Sequence, residues 1–149
     1  SGTVARCSLV GQIESPLEAF VHPSSFKIYQ ADTGLLVSKA GAQRADILAG
    51  IGGTFMGART ENYVAQQLSA IGYPLHYWAR DNRAEIDFVV ERQGCVSAIE
   101  VKAGENTRSR SLSSLKKSHP GVRLIRLSTK PFGMNDSLRS VPLYAAFCL

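Results

Sequence analysis

The stretch Glu85-Ile86-Asp87-Phe88-Val89-Val90-Glu91-Arg92, then Gln93-Gly94, then Cys95-Val96-Ser97-Ala98-Ile99-Glu100-Val101-Lys102 decides how this chain folds. Two alternating runs flank a two-residue segment ending in glycine, the pattern of a tight β-hairpin. With Gln93 and Gly94 as the loop, Ile86 faces Val101, Phe88 faces Ile99 and Val90 faces Ser97, a consistently buried face. On the other face Glu85 opposes Lys102, and Asp87 opposes Glu100. Two carboxylates so placed lie about 5 Å apart. Their repulsion is roughly 1 kcal/mol in water and about 3 kcal/mol at an effective dielectric of ~20. Folding alone gives no reason to keep that pair. A divalent cation removes the penalty, because Mg2+ takes oxygen ligands and is often held by one or two carboxylates with water and phosphate oxygens. The alternative is a surface network of Glu85, Lys102, Glu100 and Asp87 that needs no metal.

Upstream of the hairpin, Glu61, Val64, Ala65, Leu68 and Ile71 form the stripe of one amphipathic helix beginning near Thr54, with Gly72 placed to end it. Glu61 is the one acid on that stripe, so packing aims it at the sheet, where a carboxylate is costly unless paired or metal-bound. Lys102, on the same face as Glu100, brings a cation to the same spot. Leu75–Arg80 reads as a strand whose Tyr77 and Trp78 are core, the alternative being stacking on bases, and Asp81-Asn82-Arg83 as a turn. Downstream, Thr107 or Ser109 caps a short helix carrying Leu112 and Leu115; His119-Pro120-Gly121 stops it, and Val122–Leu127 is another strand. The order is helix, three strands, helix, strand. The nearly all-apolar tail, Val141–Leu149, packs onto this core.

Residues 1 to about 42 carry two short apolar runs, Val4–Val10 and Phe26–Tyr29, and Asp32-Thr33-Gly34-Leu35-Leu36 reads as a cap leading into a short helix. A helical piece over Gln43–Ile51 follows between glycines. Gly50-Ile51-Gly52-Gly53 lacks the lysine and the preceding strand of a phosphate loop, so it reads as loop backbone.

The 149 residues, 44% apolar and 19% charged, suit one globular domain and exclude a collagen-like chain, a coiled coil or a disordered tail. No apolar run approaches the ~20 residues of a membrane span, and no signal-peptide pattern opens the chain, so a cytoplasmic protein with no membrane partner is expected. Cys7, Cys95 and Cys148 are odd in number and widely spaced, which suits free thiols. The net charge of +5 is concentrated: residues 103–130 hold Arg108, Arg110, Lys116, Lys117, Arg123, Arg126 and Lys130 against Glu105 alone. Such a block suits a polyanion such as nucleic acid, or is simply a solvated helix face and strand end. His22, His76 and His119 are scattered and read as packed or surface residues. The serines show no nucleophile-elbow setting.

At these residues the sequence resembles the PD-(D/E)XK nuclease superfamily, whose restriction-endonuclease-like core is an α/β (mixed α+β) arrangement of helix, three strands, helix and strand. Asp87 matches the motif's aspartate, Glu100-Val101-Lys102 its E-x-K, and Glu61 the acid often found on the first helix; Ile86 replaces the motif's proline. A second resemblance covers almost the whole chain. Phe26-Lys27-Ile28-Tyr29, Asp32-Thr33-Gly34-Leu35-Leu36, Glu61-Asn62-Tyr63-Val64, Tyr77-Trp78, Glu85-Ile86-Asp87-Phe88, Ile99-Glu100-Val101-Lys102 and Val141-Pro142-Leu143-Tyr144 resemble the C-terminal domain of unknown function of prokaryotic AAA-type ATP-binding proteins.

The resemblance implies that residues 1–42 join residues 43–149, the nuclease-like domain, to an N-terminal ATPase domain that this chain lacks, since it has no Walker motif. The missing initiator Met likewise suggests a piece of something longer. It further implies Mg2+ or Mn2+ held by Asp87, Glu100, the Val101 carbonyl and Glu61, with Lys102 assisting an attacking water. DNA is then the expected partner, with Arg108, Arg110, Lys116 and Lys117 touching phosphates. The other implied role is a non-catalytic DNA- or protein-binding module that regulates the ATPase, and an oligomer fits either role.

Overall fold

One eight-stranded mixed sheet, in the order β2-β1-β3-β4-β5-β6-β8-β7, organises the chain. The computed structural model describes residues 4–32, 34, 53–105 and 109–149. Strands β1 (Val4–Val10) and β2 (Val21–Gln30) flank a 3-10 helix at Leu17–Phe20. Helix α1 (Gly53–Ala70) precedes β3 (Leu75–Arg80), β4 (Ala84–Arg92) and β5 (Cys95–Val101). Helix α2 (Arg110–Ser118) leads to β6 (Arg123–Ser128), β7 (Gly133–Asn135), β8 (Leu138–Pro142) and a closing 3-10 helix, Leu143–Cys148. The fold is therefore mixed α/β, with two α-helices among the described residues. Pairing is parallel for β1–β3, β5–β6 and β6–β8, and antiparallel elsewhere.

Among the described residues, each face of the sheet buries one α-helix. Val64, Ala65 and Leu68 of α1 pack on Phe88, Val90, Ile99, Ile125, Leu127 and Val141. Leu112 and Leu115 of α2 pack on Val89, Val96, Ala98 and Leu124 on the opposite face. The α1 stripe lies where its spacing predicts. The helix ends with the Tyr73 N–H donating to the Leu68 carbonyl at 3.1 Å and the Gly72 N–H to that of Ser69 at 3.0 Å. This left-handed termination places Gly72 at φ +91°. Of the two candidate caps for α2, Ser109 acts, its hydroxyl accepting the Leu112 N–H at 3.1 Å; Thr107 lies outside the described residues.

The hairpin register holds from Phe88–Ile99 to Arg92–Cys95. Gln93 and Gly94 take φ of 51° and 75°, the two positive values that a tight two-residue turn needs. The common face expected for Ile86, Phe88 and Val90 does not occur: Ile86 packs with Val89 and Ala98 on the α2 side. The cause is a β-bulge. Between the pairs His76–Val89 and Trp78–Ile86, β3 has one residue, Tyr77, and β4 has two, Asp87 and Phe88. The extra residue reverses which way everything before it points.

Residues 4–30, expected as joining material, are integral to the sheet: β1 pairs with β3, and Cys7, Val10 and Tyr29 are core. The buried Asn62 clamps β2 to α1, its amide accepting the Gln30 N–H at 2.8 Å and donating to the Gln30 carbonyl at 3.1 Å. Of the expected capped turn after β2, Asp32 and Gly34 are described, the Gly34 N–H donating to Asp32 Oδ1 at 2.7 Å. The rest of that turn and the helix expected over Gln43–Ile51 lie outside the described residues. Cys7, Cys95 and Cys148 are free thiols. Among the described residues, no helix is long and apolar enough to cross a membrane.

A side chain at Gly72 would meet no neighbour within 4 Å, so its cost is purely conformational. Replacing Gly72 by Ala should destabilise the fold by about 1 kcal/mol in urea unfolding, because L residues disfavour the left-handed region. An unchanged midpoint would mean that α1 does not end in this conformation.

Candidate functional site

The end of the hairpin farthest from its turn opens into a polar pocket of about 590 Å³, lined by Glu61, Arg83, Glu85, Asp87, Glu100, Val101, Lys102 and Ser111 among others. The elements deliver these groups from both faces. Alternation along β5, with Ile99 on the α1 side and Ala98 on the α2 side, carries Glu100 toward α2. The bulge leaves Asp87 beside Phe88, where it feels the charges of Glu61 and Lys27. Asp87 and Glu100 are thus not the directly opposed pair expected: the β4–β5 ladder stops at Phe88–Ile99. Beyond it, the Asp87 carboxylate accepts the Val101 N–H at 2.7 Å. The two acids still line one pocket, and their repulsion contributes to the titration of Asp87.

Each acid in the pocket has a different environment. Glu100 is 6% exposed; its Oε1 lies 3.3 Å from Lys102 Nζ, and its Oε2 is buried with no hydrogen-bond partner. Glu61 accepts from the Tyr29 hydroxyl and lies 3.5 Å from Lys27 Nζ. Glu85, expected opposite Lys102, instead pairs with Lys27. Among the described residues, no group of three His, Cys, Asp or Glu side chains is gathered to hold a metal ion. Glu61 therefore stands engaged with Tyr29 and Lys27 rather than as a third ligand beside Asp87 and Glu100.

Burial pushes the Asp87 carboxyl up to about 7; the Val101 N–H opposes this, and Glu61 and Glu100 add to it. Burial pushes the Tyr29 hydroxyl up, and Glu61 holds it there as a donor. For Lys27, burial alone would favour the neutral form, yet the Glu85 hydrogen bond and the charges of Glu61, Glu85 and Asp87 raise it above the ordinary lysine value. Its ammonium also stands 4.8 Å from the centre of the Tyr77 ring.

Lys27 was not legible as a site residue, although one signal existed: Lys27 and Tyr29 are two apart in a strand and so share a face. Arg83 and Ser111 line the pocket, whereas Lys27 reaches it only through Glu61 and Glu85. Of the expected phosphate contacts, Arg110 is exposed at the first turn of α2, next to Ser111, and Arg108 lies outside the described residues. Lys116 and Lys117 sit in the last turn of α2 and do not line the pocket; Lys116 is 3.5 Å from Asp136.

An unfolded aspartate titrates near ~3.9, so between there and about 7 the folded chain keeps a proton that the unfolded chain has lost. Through this group, stability falls as pH rises across that window, and the penalty is complete above it. Asp87→Asn, which still accepts from Val101, should stabilise the fold by on the order of 2–4 kcal/mol at pH 8 and by little near pH 4. Parallel melting profiles for the two proteins across that range would show that Asp87 is not held protonated.

The model of the family described as domain of unknown function (DUF4143) matches residues 56–146. That span includes Glu61, Asp87, Glu100 and Lys102; Lys27 lies before it. Uncharacterized protein Rv2008c of Mycobacterium tuberculosis and uncharacterized protein Mb2031c of Mycobacterium bovis are each 34% identical over 124 residues, covering 78% of this chain. The chain spans 27% of the length of these curated relatives. No solved structure matches it. With the family model covering more than half of its residues, the chain belongs to the DUF4143 family.

Proposed function

We propose that this domain is a metal-dependent nuclease of the PD-(D/E)XK kind, hydrolysing phosphodiesters of DNA at the Asp87–Glu100–Lys102 pocket. The observation that carries the reading is Glu100. A carboxylate oxygen buried without a partner is costly, and this one lines a pocket shared with Asp87. A hard cation supplies what the buried Glu100 oxygen lacks and offsets the repulsion between the two acids, so the residues fit a divalent ion. Asp87 and Glu100 would hold Mg2+ or Mn2+, with the Val101 carbonyl as a further oxygen donor. When bound, the ion polarises the scissile phosphate and makes water a better nucleophile.

The chain's own groups do the rest. Lys102, fixed by Glu100 at 3.3 Å and by its backbone N–H to the Leu127 carbonyl at 2.8 Å, orients the water and offsets charge growing on phosphate oxygens. The first turn of α2 brings Ser111 to the pocket with Arg110 beside it, and the positive end of the helix dipole favours a phosphate there. Arg83 contributes charge on the rim. In a longer protein, the partner of this domain would be the ATPase domain that the AAA-type resemblance implies, in the cytoplasm.

The second reading, a non-catalytic DNA- or protein-binding module that regulates an ATPase, draws on Lys27. An internal ammonium on Glu61 and Glu85 is what an acid cluster retained for structure would carry. A magnesium-dependent cleavage assay on linear, branched and single-stranded DNA separates the two. Nuclease action predicts product that falls about 100-fold or more with Lys102→Ala or Asp87→Asn. Equal product from wild type and Lys102→Ala would sink the catalytic assignment. Salt-dependent DNA binding without any product would favour the regulatory module.

A further inference from the structure

We infer that Lys27 is the counter-cation of the acid cluster at Glu61 and Glu85, so that its ammonium sets how tightly the neighbouring Asp87–Glu100 pocket takes a divalent ion; this rests on the nuclease reading above. Lys27 comes from β2, the outermost strand on its side of the sheet, whereas the acids it serves come from α1 and β4. Its Nζ bonds Glu85 and lies 3.5 Å from Glu61. Those two carboxylates and Asp87 all act electrostatically on it. The site is therefore already partly neutralised from within, by a residue outside the segment that matches the family model.

An ammonium beside Glu61 and Glu85 and a doubly charged ion at Asp87 and Glu100 repel each other, so the lysine lowers the affinity of the pocket for the ion. The Tyr77 ring, 4.8 Å from its ammonium, and the two carboxylates together fix the lysine in that place. Glu100 is the second mark of a ligand site: its Oε2 remains buried and unpartnered although Lys102 sits on its Oε1. The pocket as it stands is balanced on the Lys27 side and unbalanced on the Glu100 side. Such a device lets β2 set the metal affinity of a site whose ligands it does not supply.

Mn2+ binding to the full chain, followed by paramagnetic resonance of free Mn2+ at pH 7.5 and low salt, tests this. Lys27→Met should bind Mn2+ at least about fivefold more tightly than wild type, and Lys27→Arg, which keeps the charge, within about twofold of it. Should Lys27→Met fail to fold, Lys27→Gln, which keeps a polar donor toward Glu85 without the charge, should bind more tightly than wild type as well. Equal or weaker binding by the folded neutral variant, with binding still abolished by Asp87→Asn, would overturn the counter-cation role and leave the nuclease reading standing. Absence of Mn2+ binding in wild type and both neutral variants would overturn both.

Discussion

Because β4 carries one residue more than β3 between His76–Val89 and Trp78–Ile86, Ile86 turns onto the α2 side of the sheet while Phe88 stays on the α1 side. Both residues are fully buried, so neither side of the bulge can slip without exposing a large apolar group. The rest of the pocket follows from that constraint. Asp87 sits at the extra position, beside Phe88 and within the field of Glu61, and its carboxylate caps the Val101 N–H where the ladder to β5 ends. A bulge beside a cluster of acids re-aims one side chain while the core on either side remains regular.

Gathering carboxylates at the edge of a core is electrostatically expensive, and the chain answers the cost separately at each one. Glu85 and Glu61 share Lys27, Glu61 also receives the Tyr29 hydroxyl, and Glu100 takes Lys102 on one oxygen. Asp87 is answered by one backbone N–H and, less strongly, by the charge of Lys27, and remains raised to about 7. The compensation is thus uneven, and the deficit lies between Asp87 and Glu100. Two of the compensating side chains, Lys27 and Tyr29, belong to β2, which Asn62 fastens to α1 through both polar groups of Gln30. Residues 4–30 consequently shape the pocket electrostatically even though the family model begins at residue 56.

Much of the fold was legible because it depends on local rules. The α1 stripe and its terminal glycine, the Gln93-Gly94 turn, the Ser109 cap and the strand at Val122–Leu127 each follow from spacing or backbone preference within a few residues. The register from Phe88 to Arg92 was legible for the same reason: a two-residue loop leaves one way to pair the strands. The facing of Ile86 was not, because a bulge arises from how β4 meets β3, and nothing in the alternation of β4 alone marks it. Lys27 was missed likewise. In a linear reading it is 34 residues from Glu61 and 58 from Glu85, and only the pairing of β2 with β1 and of β1 with β3 closes that distance.

By itself, then, the amino-acid order determined the two described α-helices and the strands between residues 75 and 127, where they stop, and which acids and lysines are available to a polar site; the short strands β7 and β8 and the two 3-10 helices carry no such local mark. Tertiary structure decided which of those charges meet. Periodicity and turn chemistry act over a few bonds and are written in neighbouring residues, whereas the partner of a buried charge is set by strand order and by a one-residue offset between strands. Asp87 and Glu100 share a pocket while starting from different faces, and Glu61 answers to Lys27, because the sheet inserts β1 and β2 beside β3 and bends β4 where Asp87 sits.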